Sequence, residues 1–143
     1  MSHSYRVTAR SQAAPGAVYA ALTRAATWPS WSPIGSAEVE GGDAADQQRV
    51  GDLRIFRTGK HVARERVLEL VPDRRFVYDN VGGVFRSYRG TVELAPAPGG
   101  GTDITWSGTF VPKMPLSGAF WRRYLTRFMQ GMADGVAAYA SQP

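Results

Sequence analysis

The stretch PLSGAFWRRYLTRFMQGMADGVAAYA, residues 115–140, decides the fold. Trp121, Leu125, Phe128, Met132 and Val136 recur at steps of three or four, a continuous apolar stripe that predicts an amphipathic helix. Phe120, Tyr124 and Met129 widen the stripe, while Arg122, Arg123 and Arg127 fall mainly on the far side. Pro112 and Pro115 bracket the start and set its direction, Met114 and Pro115 read as a hinge or cap, and Ser117 is the alternative start. At 1.5 Å per residue such a helix is about 38 Å long, enough to lie across a whole small sheet.

The chain before it supplies that sheet. Ser4–Arg10 alternates, with Tyr5, Val7 and Ala9 on one side, and predicts a half-buried strand. Pro15 suits the first position of a helix running to about Thr23, with Val18, Ala21 and Leu22 at helical spacing. In TWPSWSP, residues 27–33, Thr27 reads as an N-cap, Pro29 lies in the first turn, and Pro33 stops a second short helix near Trp31. Alternation then predicts strands at 37–40, 50–57, 61–71, 75–81, 85–94 and 102–111. They are separated by a polar loop at Gly41–Gln48 and by turns at Thr58–Lys60, Pro72–Asp73, Gly82–Gly83 and Pro96–Gly101. In the strand 50–57, Leu53 and Ile55 stand against Asp52 and Arg54. Short turns imply an antiparallel meander. An antiparallel sheet has one apolar face to cover, and only the last helix is long enough to cover it. If the sheet curls, a gap remains between them, and the strand tips and two short helices close one end of it.

Composition narrows the function classes. The 143 residues, 43% of them apolar, make a single domain over 1–143 with a proper core. Without cysteine there is no disulfide framework, thiolate metal site or cysteine nucleophile. The polar start MSHSYRVTARSQ does not read as a signal peptide, and no run approaches the ~18 apolar residues of a membrane span. A cytoplasmic protein is expected. The net charge of +5 comes from fifteen arginines with Lys60 and Lys113, dispersed and interleaved with acids rather than gathered in one stripe. This argues against nucleic acid as a partner. The arginine bias with abundant Ala and Gly is the composition of a GC-rich bacterial genome.

The residues able to carry chemistry are few. His61 and Glu65 share a strand face but lie ~13 Å apart, too far to touch. Nothing has metal-ligand spacing, and neither a metal nor a cofactor is expected. The glycine run 99–101 precedes a strand and reads as a hairpin turn rather than a phosphate cradle, and no G-x-S-x-G elbow occurs. Glu65, between Arg64 and Arg66, is the best acid/base candidate if it points inward, because burial would raise its pKa unless an arginine pairs with it. Alternation leaves its register open. Tyr78 shares a face with Phe76, Tyr88 with Val92 and Leu94, and Trp106 with Ile104 and Phe110, faces expected to look towards the long helix. Aromatics with a polar tip suit a ligand cavity and an ordinary core alike. Trp28 and Trp31 are expected at the end of the gap, as a lid on a cavity or as a plug of packing.

The element order, the WPSWSP run at 28–33, the RTGKHVARERV strand pair at 57–67, the Tyr88-x-x-x-Val92 strand, GGTDITW at 100–106 and the long terminal helix together resemble one superfamily. It is the START-like, helix-grip superfamily typified by birch-pollen allergen folds, and within it the bacterial polyketide cyclase/dehydrase-type proteins often labelled SRPBCC. The resemblance covers roughly Tyr5 to Tyr139. It implies an α+β helix-grip fold in the order β-α-α-β6-α, a curved antiparallel sheet of about seven strands around the C-terminal helix, and an internal cavity. The partner it implies is a small lipophilic or aromatic molecule. The residues expected to line the cavity are Trp28, Trp31, Phe76, Tyr78, Tyr88, Trp106, Phe110, Phe120, Tyr124 and Phe128. The alternative is a cyclase/dehydratase-type enzyme with Glu65, Tyr78 and Tyr88 as its acid/base set. A third is a protein-interaction module of the Hsp90-activator type. Assembly stays open, a homodimer included. Related sequences often carry a proline and an acid in the segment that reads GGVFRSYRG here; Val84 and Ser87 stand at those places, so no role for that acid is carried over.

Overall fold

A computed structural model describes residues 2–40 and 49–142; the polar loop expected at Gly41–Gln48 lies outside the described residues. Strand β1 (His3–Ser11) leads into helix α1 (Pro15–Thr23), a single 3₁₀ turn (Ala25–Thr27) and the short helix α2 (Trp28–Trp31). Six strands follow: β2 (Ser36–Val39), β3 (Leu53–Thr58), β4 (His61–Val71), β5 (Arg75–Asn80), β6 (Phe85–Pro96) and β7 (Thr102–Pro112). Helix α3 (Gly118–Ala140) closes the chain. The strands form one antiparallel sheet in the order β1-β7-β6-β5-β4-β3-β2, so the first strand returns to pair with the last. The architecture is the expected helix-grip: a seven-stranded antiparallel sheet with the long helix packed across β1 and β7 and against α1 and α2. Among the described residues, no helix is long and apolar enough to cross a membrane.

Alternation along each strand sets the inner face, and the register aligns the faces into rows. One row runs Val7, Trp106, Val92 and Phe76 across β1, β7, β6 and β5. The next runs Tyr5, Gly108, Gly90, Tyr78 and Val67 as far as β4. All nine of these residues are buried. From the other side α3 contributes Leu125, Met129, Met132 and Val136, also buried. Burying this apolar surface is the main stabilising term of the fold.

Three expectations are corrected. Helix α3 starts at Gly118 rather than Pro115, because Leu116 takes a left-handed backbone (φ 63°) that a helix cannot continue through. The start is therefore the alternative at Ser117, although the Ser117 hydroxyl donates to the Met114 carbonyl rather than capping the helix. Strand β3 starts at Leu53 rather than Val50, because Arg49–Asp52 closes into a turn in which the Arg49 amide donates to Asp52 Oδ2 at 2.9 Å. Thr27 precedes α2 as expected, but its hydroxyl donates backwards, to the Ala21 and Arg24 carbonyls at 2.7 and 2.9 Å. It fastens α2 to α1 instead of capping it.

Candidate functional site

The row through Tyr5 and Tyr78 carries the most specific geometry in the interior. Gly108 and Gly90 are paired neighbours at its centre, flanked by Tyr5 on one side and Tyr78 on the other. A Cβ on Gly90 would stand 2.3 Å from the Tyr78 ring, and one on Gly108 would stand 2.7 Å from the Tyr5 ring. The two glycines therefore form a floor across which both rings fold towards each other. Tyr88, two residues before Gly90 and on the same face, meets them there. Its ring centroid is 6.2 Å from that of Tyr5 and 6.2 Å from that of Tyr78. The Tyr5 and Tyr88 hydroxyls are hydrogen-bonded to each other, and Trp106 Nε1 donates to Tyr78 Oη at 3.0 Å. Burial pushes all three phenols further above their ordinary range, which already lies well above neutrality, so the cluster is uncharged.

A second polar centre lies beside this one. Arg54 is fully buried on the inner face of β3, although Leu53 and Ile55 suggested that it points outward. Its Nη2 donates to Glu65 Oε1 at 2.9 Å across the β3–β4 pair, and its Nη1 donates to the Leu22 carbonyl at 3.0 Å. Trp28 Nε1 donates to that same carbonyl at 3.0 Å. Leu22 lies in the last turn of α1, where carbonyls lack helical partners and a cation is favoured. The guanidinium carbon also lies 4.7, 4.9 and 4.6 Å from the ring centres of Trp28, Phe56 and Phe76, a cation boxed by aromatic faces. Glu65 thus points inward, with its side chain 14% exposed. Burial raises its carboxyl above the ordinary carboxylate range; Arg54 opposes that shift and Asp79 adds to it. Across the β4–β5 pair, Asn80 stands opposite Glu65, and its Oδ1 is buried without a partner among the described residues.

The remaining expected residues divide clearly. Phe76, Trp106 and Phe110 are buried on the inner face with Tyr78 and Tyr88. Trp28 and Trp31 are buried at one end, with Trp28 packed on Phe56, Trp31 and Trp106. The last contact is edge-on at 5.9 Å, so this end is plugged by packed indoles. Phe128 is half-buried against the core. Phe120 and Tyr124 instead lie outside, 63% and 48% exposed, because they sit about 140° and about 100° round α3 from Leu125 on its buried line. His61 is exposed near the β3–β4 hairpin. Sequence reasoning missed Arg54, Tyr5 and the paired glycines. A glycine at mid-strand in both 85–94 and 102–111 was the available signal, since glycine inside a strand marks close approach by another group.

At the end opposite the tryptophans, a cleft of about 480 Å³ opens between β1, β7 and the start of α3, lined by His3, Arg86 and residues 111–119. Phe85 and Trp121, with ring centres 5.0 Å apart, bridge β6 and α3.

The family described as polyketide cyclase / dehydrase and lipid transport matches residues 2–141 of the chain. No curated protein sequence is matched. A START superfamily protein from Mycobacterium smegmatis is similar in structure at a TM-score of 0.82 and 12% identity, over 98% of both chains. The allergen Ara h 8.0201 is similar at a TM-score of 0.77 and 18% identity, again over 98% of both. The di-domain ARO/CYC StfQ of the steffimycin biosynthetic pathway is similar at a TM-score of 0.78 and 17% identity, over 98% of this chain and 51% of that one. At these identities the likeness is one of fold.

Proposed function

This chain belongs to the polyketide cyclase / dehydrase and lipid transport family, and from that premise we propose that it binds a small lipophilic or aromatic molecule between the sheet and α3. The observation that carries this reading is the meeting of the Tyr5, Tyr78 and Tyr88 hydroxyls in a wall that is apolar and aromatic apart from the neighbouring Arg54–Glu65 pair and Asn80. An apolar body fits the aromatic surface, and a few converging hydroxyls give it one orientation. The unpartnered Asn80 Oδ1, opposite Glu65, supplies a further acceptor for a ligand hydroxyl. The mouth by His3 and residues 111–119 is the route in, since the other end is plugged by Trp28 and Trp31.

Native mass spectrometry of protein purified gently from its own host, followed by denaturing extraction, tests the proposal. A stoichiometric adduct of an apolar molecule with at least one hydroxyl or carbonyl is expected, with Tyr88→Phe retaining less of it. A clean apo mass would overturn the reading, provided that added 1-anilinonaphthalene-8-sulfonate also fails to gain fluorescence on the folded protein.

Glu65 favours a second reading, cyclase/dehydratase-type catalysis. An inward carboxyl whose proton is held up by burial can give a proton to a substrate carbonyl or take one from the adjacent carbon. Tyr78 and Tyr88 would hydrogen-bond the oxygen on which charge develops. A Glu65→Gln protein that binds the extracted molecule normally but no longer converts it would support catalysis; unchanged turnover removes Glu65 from it.

A further inference from the structure

The outer face of α3 and the loop before it carry an apolar surface that the fold leaves uncovered. Leu116 is 105% exposed and Met114 69%, both lining the cleft, and Phe120 and Tyr124 follow on α3 just beyond it, also exposed. The rings are ordered as a ladder. Phe120 and Tyr124 stack at 6.4 Å and 12°, and Tyr124 and Phe128 at 6.0 Å and 9°. Trp121 packs edge-on against both Phe120 and Tyr124. Leu116 is held out in a left-handed backbone that leucine adopts only under constraint.

The charge around this surface is of one sign. From Lys113 to Ala133 the sequence contains Lys113, Arg122, Arg123 and Arg127 and neither Asp nor Glu. None of these four cations is ion-paired with a described residue. On the helix, Arg123 and Arg127 fall three residues after Phe120 and Tyr124, on the flank of the aromatic ladder. Apolar side chains flanked by cations in a segment without acids match an anionic lipid surface. The rings and Leu116 enter the acyl boundary while the guanidinium groups meet the phosphates. We propose that this face, Met114–Phe128, docks the protein peripherally on an anionic bilayer, with the mouth of the interior turned towards the lipid. The proposal goes beyond the ligand reading and stands on its own observations.

Sedimentation with sucrose-loaded vesicles tests it, comparing phosphatidylcholine alone with phosphatidylcholine containing phosphatidylglycerol. Wild-type protein is expected to pellet with the anionic vesicles only, and less so as salt is raised. Phe120→Ser/Tyr124→Ser is expected to weaken binding about tenfold or more, and each of Arg123→Gln and Arg127→Gln by about fivefold at low salt. Circular dichroism checks that these surface variants fold. The absence of cysteine allows a second measurement that does not depend on them. An environment-sensitive nitrobenzoxadiazole label on Leu116→Cys should shift to the blue with anionic vesicles, and the same label on Val62→Cys should not. Failure of the wild type to bind anionic vesicles, or a silent label at 116, overturns the proposal. So does a concentration-dependent dimer that Phe120→Ser/Tyr124→Ser splits, which would assign the face to a second copy. Uptake of 1-anilinonaphthalene-8-sulfonate without vesicles reads the interior separately, so loss of one activity is distinguishable from loss of the other.

Discussion

Arg54 and Glu65 show how one ion pair can organise an interior. Arg54 is wholly buried, and its guanidinium joins the end of α1, the aromatic box and strand β4. Removing either partner leaves the other charge buried and uncompensated, a cost of about 3–5 kcal/mol. Urea unfolding of Arg54→Met, Glu65→Gln and the double variant should therefore show strong coupling, with the double variant less destabilised than the sum of the two. Additive losses would mean that the pair contributes nothing as a pair. The pH dependence has a definite sign. Burial lifts the folded-state Glu65 carboxyl above its ordinary value of 4.5. As pH rises from there, the unfolded chain releases this proton first, so the folded state holds more protons and stability falls until the folded group has ionised too. The urea midpoint of the wild type should decline through that window, and the decline should be missing in Glu65→Gln. A rise instead would mean that Arg54 outweighs desolvation. Little of this was legible in the sequence. Leu53 and Ile55 alternate with Arg54 in the ordinary pattern of a polar-out strand, and Ile55 is indeed buried, but on the other face from the main core. Only the cross-strand contact with Glu65 reveals the inversion.

The elements themselves were largely readable, because turn chemistry marks their limits. Gly59, Gly82, Gly83, Gly99 and Gly100 all have left-handed backbones at the hairpins where glycine implied turns. The start of α3 was less readable, since Pro115 suits a first helical turn by local preference and the left-handed Leu116 is set by the tertiary fold. The outer face of α3 was misread for a similar reason. An apolar stripe shows that a helix has a buried side, but not where its partner ends, so Phe120 and Tyr124 read as core. Contact between elements also depends on small residues that carry no periodic signal. A Cβ on Gly135 would lie 2.1 Å from the Trp31 carbonyl oxygen, so α3 approaches α2 through backbone that cannot move aside like a side chain. Gly135→Ala should raise intrinsic helix propensity yet destabilise the protein, by about 3 kcal/mol, as α3 is pushed off the tryptophan end. Gly90→Ala is expected to cost about 1–3 kcal/mol by displacing the Tyr78 ring, which is a more pliant neighbour. A thermal melt of each variant checks the direction, and Gly135→Ala melting above the wild type would refute the close approach.

At the scale of the whole molecule the two ends of the helix grip differ in how they are held. The C-terminal half of α3 is pinned: Gly135 lies against α2, and the Ser11 hydroxyl donates to the Ala137 carbonyl at 2.8 Å. The N-terminal half meets the sheet through side chains, the His3 ring against Gly118 and Phe85 against Trp121, beside an open cleft and an uncovered outer face. Because the chain's own aromatics occupy the space between sheet and helix, a ligand bound as proposed would have to part these elements, and they part most easily where side chains rather than backbone or hydrogen bonds hold them. Local opening free energy follows buried contacts, so it should fall along α3 from its C-terminal to its N-terminal half. Hydrogen exchange read by mass spectrometry should show amides of residues 120–128 exchanging faster than those of 129–138. Loading with 1-anilinonaphthalene-8-sulfonate should slow the first group more than the second, because a molecule held at the tyrosines braces the open end against the sheet. Uniform exchange along α3 would mean that the helix moves as a rigid rod and that the mouth is not the gate. Protection confined to α1 and α2 would place the gate at the tryptophan end instead.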